Sequence, residues 1–433
     1  MKLNVADQIN VECYEKQETS GGLWNYTWRT GTDLYGEHVH SSMYTNLWLA
    51  GPKEGNEYMD YSYKDHFGKL LPSYVPREIA LQYVNGRLTK GKCGDMKSLV
   101  HFRHVVTSVE YDNDADHFTV WIRDLPGNKD NKEIFSHVVV ASGAFYVPNS
   151  PSFEGICSFP GRNIHSYDFR EAREFAEQTV LIVGSSFSAS EIAVQLIRFG
   201  AKHVIVTYRQ HPVNFKGTRS IEERPLLQRI DNNTIHFKDG TSADVDAIIL
   251  CTGYLYHYPY LKGGLKFDTG VPVCVMPNKM YKGTVYTQGG NNKLLFIGPF
   301  ESYVSFSLFD VQARWVYKYI LGQLPNEPST REEMMKSVCE WQGRFATLDS
   351  IFAKITFQKD MLIMLAKDVG YPTEYVERTF AVVFQCVSDR MENTWTYRSK
   401  AYRTVFTDEQ SPAPEVRWDE SMDDDKLVKQ YTD

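Results

Sequence analysis

The stretch Thr179-Val-Leu-Ile-Val-Gly184-Ser-Ser-Phe-Ser-Ala189 joins a short β-branched run directly to a turn of small residues. A continuous apolar run of this length is typical of a strand that is buried on both faces of a parallel sheet. Residues 191–199 follow a helical apolar pattern that Gly200 ends, and residues 203–209 predict a second strand. Strand, turn, helix and strand in about 31 residues have the size of one βαβ unit.

The small residues of this turn predict a binding site for phosphate. Gly184 allows a tight bend, and Ser186 and Ala189 stand where the GxGxxG pattern has its other glycines. The N–H groups and the dipole of a helix N-terminus favour an anion, and Ser188 could cap the helix or donate its hydroxyl to phosphate. Arg209 ends the second strand, where an NAD-binding unit carries Asp or Glu. Its guanidinium favours the 2′-phosphate of NADP, although an exposed Arg at a strand end is also an ordinary structural feature.

The composition restricts the class of protein. With 433 residues and 42% apolar content, the chain is long enough for more than one ordinary domain. The net charge of −7 and the lack of a long basic run argue against a nucleic-acid partner. The seven cysteines form no CxxC pair, which argues against a disulfide scaffold, a zinc ribbon and a redox-active cysteine pair, and we predict no metal site.

The cysteines, the N-terminal residues and the lengths of the apolar runs predict the cellular location of the protein. Scattered cysteines indicate reduced thiols and therefore a cytoplasmic location. The first residues contain no signal-peptide core, and no apolar run reaches the roughly 18 residues of a membrane span. The acidic residues 419–425 are predicted to form a solvated tail.

Further motifs carry a resemblance to a known family. Residues Phe159-Pro-Gly-Arg-Asn-Ile-His165-Ser-Tyr-Asp-Phe169 fit FxGxxxHxxxF, and residues 21–24 read Gly-Gly-Leu-Trp. Two strands that end in Ser142-Gly143 and in Thr252-Gly253 flank the βαβ unit. Together these segments resemble the flavin-containing monooxygenases, and most of all their soluble trimethylamine and alkaloid N-oxygenases, over roughly residues 11–410.

The resemblance implies an α/β fold with two dinucleotide-binding domains. A discontinuous FAD-type Rossmann-like domain, residues 1–168 and 285–433, would surround an NADP-type Rossmann-like domain of residues 170–284. It further implies an NADPH-dependent enzyme that transfers oxygen from a C4a-hydroperoxyflavin to a soft nitrogen or sulfur atom of a small amine or sulfide. Because the flavin carries this chemistry, no catalytic side chain is expected. A homodimer is compatible with the resemblance.

The family's cofactor contacts can be transferred to this chain residue by residue. The implied FAD contacts are Glu15, Gln17, Leu23, Trp24, His40 and Val106. The implied NADP contacts are Trp48, Gly184, Ser185, Ser186, Ser188, Arg209, Thr252 and Gly253. His165 is interpreted as a structural hydrogen-bonding residue between the domains.

The chain departs from the family pattern at three places. Ala50 replaces an Asn that helps to hold the nicotinamide and the flavin oxygen adduct, and Asn46 is a weak substitute. Phe300 stands where relatives offer a polar residue to the flavin edge. Residues 1–10 contain no glycine and are too few for the strand, glycine turn and helix that bind the FAD pyrophosphate.

These departures predict weak retention of FAD, poor oxygenation with leakage to peroxide, and an unpaired strand edge at residues 11–16. The alternative interpretation is a truncated, weakly active or non-catalytic NADP-binding paralogue or fragment of the family. A plain nicotinamide dehydrogenase is disfavoured by the flavin-type motifs.

Overall fold

The computed structural model describes residues 9–92, 94–216, 218–267, 269–324, 326–328 and 330–432. The strands are β1 Cys13–Glu15, β2 Val100–Phe102, β3 His104–Asp112, β4 His117–Asp124, β5 Lys129–Phe135, β6 Val138–Val140, β7 Arg162–His165, β8 Thr179–Val183, β9 His203–Tyr208, β10 Ile221–Pro225, β11 Leu227–Asp231, β12 Thr234–Phe237, β13 Ser242–Asp244, β14 Ala247–Leu250, β15 Met280–Tyr281, β16 Val285–Tyr286 and β17 Leu294–Phe296. The helices are α1 Tyr63–Phe67, α2 Arg77–Lys90, α3 Phe187–Arg198, α4 Ser305–Ile320, α5 Arg331–Ala346, α6 Ile351–Val369, α7 Thr373–Glu392 and α8 Asp424–Thr432.

The predicted βαβ unit is confirmed as β8, α3 and β9. It lies in a parallel five-stranded sheet with the order β10-β9-β8-β14-β7. β8, β9 and β14 are short and rich in β-branched residues, and β8 and β14 are buried on both faces. The helix begins at Phe187, four residues before the predicted start, and the extended residue Ser186 is its N-cap. The first turn, residues 187–190, shows no apolar period of its own, so the sequence pattern did not include it.

A second group of strands carries the flavin-type motifs. β1 pairs in parallel with β2, and β6 pairs in parallel with β17, which continues into an antiparallel edge of β16 and β15. Within the described residues, β1 and β6 each have a strand partner on one side only. The middle residue of β6, Val139, is 40% exposed. These free sides are the ends of two separate sheets in this structure.

Antiparallel sheets and a helical region complete the fold. β3, β4 and β5 form one three-stranded sheet, and β11, β12 and β13 form another. α6 packs against both α4 and α7, in a core that includes Trp315, Phe357 and Phe380, each at most 1% exposed. No helix among the described residues combines the length and the apolar character that a bilayer crossing requires. The parallel sheets and the helices that accompany them confirm the α/β fold class predicted from the sequence.

The prediction of a solvated tail at residues 419–425 is wrong for two of its residues, because Ser421 and Asp424 are buried while Glu420, Met422, Asp423 and Asp425 are exposed. Asp424 is 7% exposed, and its carboxylate accepts hydrogen bonds from Trp48 Nε1 (3.0 Å) and Ser421 Oγ (2.8 Å). Arg198 also donates to the Trp418 carbonyl at 2.6 Å. The acidic composition of residues 419–425 predicted exposure to solvent, because one hydrogen-bond partner of Asp424, Trp48, lies 376 positions away in the sequence. α8 follows and buries Leu427 and Tyr431.

A buried polar cluster lies between α1 and α7. The Lys53 ammonium is 2.6 Å from Glu54 Oε1, and both side chains are at most 2% exposed. Glu57 accepts a hydrogen bond from the Tyr63 N–H at 2.8 Å through Oε1. Its Oε2 is buried and has no hydrogen-bond partner among the described residues. Glu54 Oε2 is likewise buried without a hydrogen-bond partner among the described residues, so both carboxyl groups of the cluster are only half satisfied.

Candidate dinucleotide and flavin site

The turn between β8 and α3 has the backbone geometry of a phosphate-binding turn. Gly184 has a φ of +127°, and a Cβ there would overlap the backbone oxygen of Cys251 after β14. Two backbone hydrogen bonds hold the turn close to Cys251. The Cys251 N–H donates to the Val183 carbonyl at 2.9 Å, and the Gly184 N–H donates to the Thr207 carbonyl at 3.2 Å. Glycine alone satisfies both the dihedral angle and the available space.

The serines after Gly184 leave their hydroxyl groups available to a ligand. Ser186 is the N-cap residue of α3, but its side chain makes no capping hydrogen bond. Ser186 and Ser188 are exposed, and Ser185 is half-buried. α3 is 12 residues long, so its N-terminus presents several free N–H groups to the same space. The residues present fit a pyrophosphate group.

The ends of the neighbouring strands complete this site. Arg209 directly follows β9 and is exposed, as the predicted contact with a 2′-phosphate requires. Gly253 is exposed with a φ of +84° and lies three residues beyond β14. The Thr252 hydroxyl donates to the Asn149 carbonyl at 2.5 Å, and the Asn149 amide donates back to the Thr252 carbonyl. Thr252 therefore supports the turn beside Gly253 with its side chain already engaged.

A hydrogen bond joins two of the predicted FAD contacts, and another holds the backbone of a third. Glu15, at the end of β1, accepts from the Gln17 N–H at 2.8 Å, and Gln17 Nε2 donates to the Gly22 carbonyl at 3.2 Å. Ser41 Oγ donates to the carbonyl of Leu23 at 3.0 Å. Burial raises the pKa of Glu15, whose carboxyl group lies at the carboxyl end of a parallel strand. This is the place where a ribose is held in such folds.

His40 forms a second part of the flavin-type site. Its ring lies 4.9 Å from that of Tyr146, next to the Ser142-Gly143 turn after β6. Burial, together with the nearby charges of Lys16 and His38, lowers the pKa of His40 to about 4. The imidazole is therefore neutral near pH 7 and can present one donor and one acceptor.

The two remaining predicted FAD contacts lie at separate places. Trp24 is half-buried and meets the ring of Phe306 edge-on at 6.2 Å. Val106 is half-buried on β3, next to the irregularity in its pairing with β4. The residues present fit the ribose and ring portions of FAD.

Comparison with known proteins identifies the family. Residues 1–215 and 215–371 match the model of the FMO-like family, described as flavin-binding monooxygenase-like. The chain belongs to this family. It is 40% identical to the trimethylamine monooxygenase of Methylocella silvestris over 412 residues, which are 95% of this chain and 89% of that protein.

Two solved structures agree with this assignment. The crystal structure of Tmm from Pelagibacter sp. strain HTCC7211 has a TM-score of 0.90 at 38% identity, and the match covers 96% of this chain and 92% of that one. S-allyl-L-cysteine S-oxygenase from Allium sativum has a TM-score of 0.77 at 26% identity, covering 97% and 91%. This flavin-binding monooxygenase is accordingly an oxidoreductase whose cofactors are FAD and NADPH.

The structure places the Trp48 side chain in the core of this monooxygenase. It is 1% exposed, and its indole N–H donates to Asp424 at 3.0 Å. The NADP contact through Trp48 stays a prediction, and its indole N–H is already engaged within the protein. The sequence motif around Trp48 could not show this partner, since Asp424 lies 376 residues away.

His165 ends β7, which is the last strand in the order of the five-stranded sheet. Its Nδ1 accepts a hydrogen bond from the Tyr167 N–H at 3.0 Å, and its ring meets Tyr254 edge-on at 5.4 Å. Burial lowers the pKa of His165 to about 4, so the ring is neutral near pH 7. These contacts support the structural interpretation of His165.

The segment before Ala50 is held by its backbone. The Tyr397 hydroxyl donates to the Ala50 carbonyl at 3.2 Å, and Gln195 Nε2 donates to the Asn46 carbonyl at 2.5 Å. The Asn46 side chain interacts with Asp424, which leaves it poorly placed to substitute for the family's Asn. Phe300 is 1% exposed and packs beside Gly283, so it fills a core and adds no polar group.

Three charged residues near α3 escaped the sequence analysis. Arg390 stacks on Phe187 at 4.0 Å and donates to Ser190 Oγ at 2.8 Å, and Arg398 pairs with Glu191 at 2.8 Å. They belong to no motif. Their only sequence signal is that a charged residue, Glu191, stands on the apolar side of α3.

Proposed function

We propose that this flavin-binding monooxygenase oxygenates the nitrogen of a small amine, or the sulfur of a small sulfide, with NADPH and O2 as cosubstrates. One oxygen atom goes to the substrate and the other leaves as water, while NADPH and one proton are consumed. The support is the extent of the likeness to trimethylamine monooxygenases together with the nucleotide site at Gly184. FAD, when bound, supplies the reaction with oxygen.

The protein's part in this proposal is binding and shielding. Gly184 and the N-terminus of α3 receive the pyrophosphate of NADPH, and Arg209 receives its 2′-phosphate. Glu15 and Gln17 hold the ribose end of FAD, and the neutral His40 lies beside the flavin turn at Gly143. The measurement that tests the function is NADPH consumption with added FAD, with and without trimethylamine, together with assay of the N-oxide. Consumption that trimethylamine leaves unchanged, with no N-oxide formed, would contradict the proposal.

We further propose a cytoplasmic location. Cys13, Cys157 and Cys339 are free and exposed, and exposed thiols persist best in a reducing compartment. The oligomeric state is a separate question. Light scattering on the purified protein distinguishes a monomer from a homodimer.

Arg209→Ala is expected to weaken NADPH binding about tenfold, or roughly 1.5 kcal/mol, because one charge-assisted contact with the 2′-phosphate is lost. The affinity for NADH should stay the same, since NADH lacks that phosphate. Calorimetry with both nucleotides measures the effect. Arg229→Ala, at another exposed position on β11, is the matched control. Equal losses for NADPH and NADH in Arg209→Ala would rule out a role in 2′-phosphate recognition.

Ala50→Asn is expected to raise the ratio of oxygenated amine to hydrogen peroxide roughly tenfold, because it restores one preorganised donor at the flavin face. The backbone should tolerate the change, since the Ala50 carbonyl is held by Tyr397 and the side chain is only half-buried. Product and peroxide are measured per NADPH consumed. Ala50→Leu, which adds volume without a donor, is the control. An equal gain in Ala50→Leu would show that the missing donor is not the cause of leakage.

A further inference from the structure

α3 carries the nucleotide turn at one end and two polar side chains on its buried side. Glu191 is 6% exposed and Gln195 is fully buried, although both stand on a helix that packs into a core. Buried polar groups cost free energy unless they are paired. Gln195 Nε2 donates to the Asn46 carbonyl at 2.5 Å, and Glu191 forms an ion pair with Arg398.

Gln195 reaches the segment of residues 46–50 directly, and Glu191 reaches it through Arg398. Glu191 Oε1 lies 2.8 Å from Arg398 Nη2, and the two side chains are 6% and 3% exposed. Arg398 Nε donates to the Leu49 carbonyl at 3.1 Å. The guanidinium is covered by the ring of Trp418 at 4.2 Å, which excludes water from the pair.

The neighbouring residue extends this connection to Ala50. Tyr397 is 3% exposed, and its hydroxyl donates to the Ala50 carbonyl. Tyr397 and Arg398 share one 3₁₀ turn, so a shift of that turn moves both contacts together. In low dielectric, a guanidinium paired with a carboxylate keeps its orientation because every alternative leaves a buried charge unpaired.

We propose that Arg398 is a positioning residue that, through Glu191, couples the nucleotide-binding helix to the backbone of residues 49–50. Binding of NADP at the N-terminus of α3 then restrains the segment that ends at Ala50. The inference rests on the proposed NADP site. It differs from that site because neither Glu191 nor Arg398 lies at the exposed end of α3 where the nucleotide binds.

The test is amide hydrogen exchange of residues 45–51 with and without NADP⁺, in FAD-supplemented protein. In the unmodified chain, NADP⁺ should slow exchange in this segment roughly fivefold or more. Glu191→Gln keeps the shape but removes the charge, and Arg398→Lys keeps the charge but removes the Nε donor to Leu49. In both variants we expect NADP⁺ affinity within about threefold of the unmodified value and slowing by less than about twofold.

Calorimetry on the same samples separates the two proposals. If NADP⁺ does not bind the unmodified chain, the proposed site and the coupling both fail. If NADP⁺ binds but leaves exchange of residues 45–51 unchanged, only the coupling fails. A purely structural role for the pair would speed exchange equally with and without NADP⁺, leaving the ratio intact and overturning the inference. Glu174→Gln, which removes an exposed carboxylate paired with Arg162, is the control that should keep the full slowing.

Discussion

Gly184→Ala is expected to weaken NADPH binding at least ~100-fold, or about 2.7 kcal/mol. The added Cβ would overlap the Cys251 carbonyl oxygen, and a φ of +127° strains any residue other than glycine. The turn can relieve the overlap only by moving away from β14, which displaces the N–H groups at the start of α3. Calorimetric titration with NADPH measures the loss.

Gly240→Ala is the matched control for this prediction. Gly240 also has a positive φ, +83°, but no atom lies within 4 Å of the position of an added Cβ. This control therefore carries a similar conformational strain without the overlap, far from the turn, between β12 and β13. It should lower the melting temperature and leave NADPH affinity unchanged. NADPH binding by Gly184→Ala at the unmodified affinity would show that this turn is not the phosphate site.

The second large effect concerns the stability of the protein and involves Glu57. Burial raises the pKa of Glu57 from 4.5 to about 7, against the opposing influence of Lys53 and the hydrogen bond from Tyr63. The folded protein therefore binds a proton at pH values where the unfolded chain has already released it. The free energy of unfolding must fall as the pH rises from 4.5 through 7. The full difference corresponds to roughly 3 kcal/mol.

Glu57→Gln removes this titration. Its uncharged amide can still accept the Tyr63 hydrogen bond, so the variant should match the unmodified protein near pH 5. It should be more stable by roughly 3 kcal/mol at pH 8. Denaturant unfolding at several pH values gives the difference, and Glu332→Gln, at an exposed position on α5, should show none. A difference that does not vary with pH would mean that Glu57 is charged in the folded state throughout this range.

The local parts of the site were predictable because their signals lie within one supersecondary unit. A β-branched run, a glycine and a small residue at the right spacing predict β8, the turn and α3 without any distant contact. The position of Arg209 directly after β9 was predicted in the same way, and its contact with a 2′-phosphate stays a prediction. The start of α3 was missed by four residues, since Phe187-Ser-Ala-Ser190 shows no apolar period of its own.

The wrong part of the solvated-tail prediction comes from pairing between residues far apart in the sequence. Residues 419–425 were assigned to solvent, but the Asp424 carboxylate accepts a hydrogen bond from the buried indole of Trp48. Neither local pattern contains the other partner. The expected weak retention of FAD stays a prediction, and the free sides of β1 and β6 in the described residues are the structural feature it concerns.

The sequence by itself determined the α/β class, the βαβ unit and the family resemblance, because backbone sterics, strand burial and glycine turns act over a few neighbouring residues. Only the tertiary structure decided which charged groups are buried and which groups they pair with. Glu191 and Arg398 stand 207 positions apart, and their pairing depends on how α3 and the C-terminal segment pack together. A buried charge is stable only beside its partner, so the fold must bring the two together before either role exists.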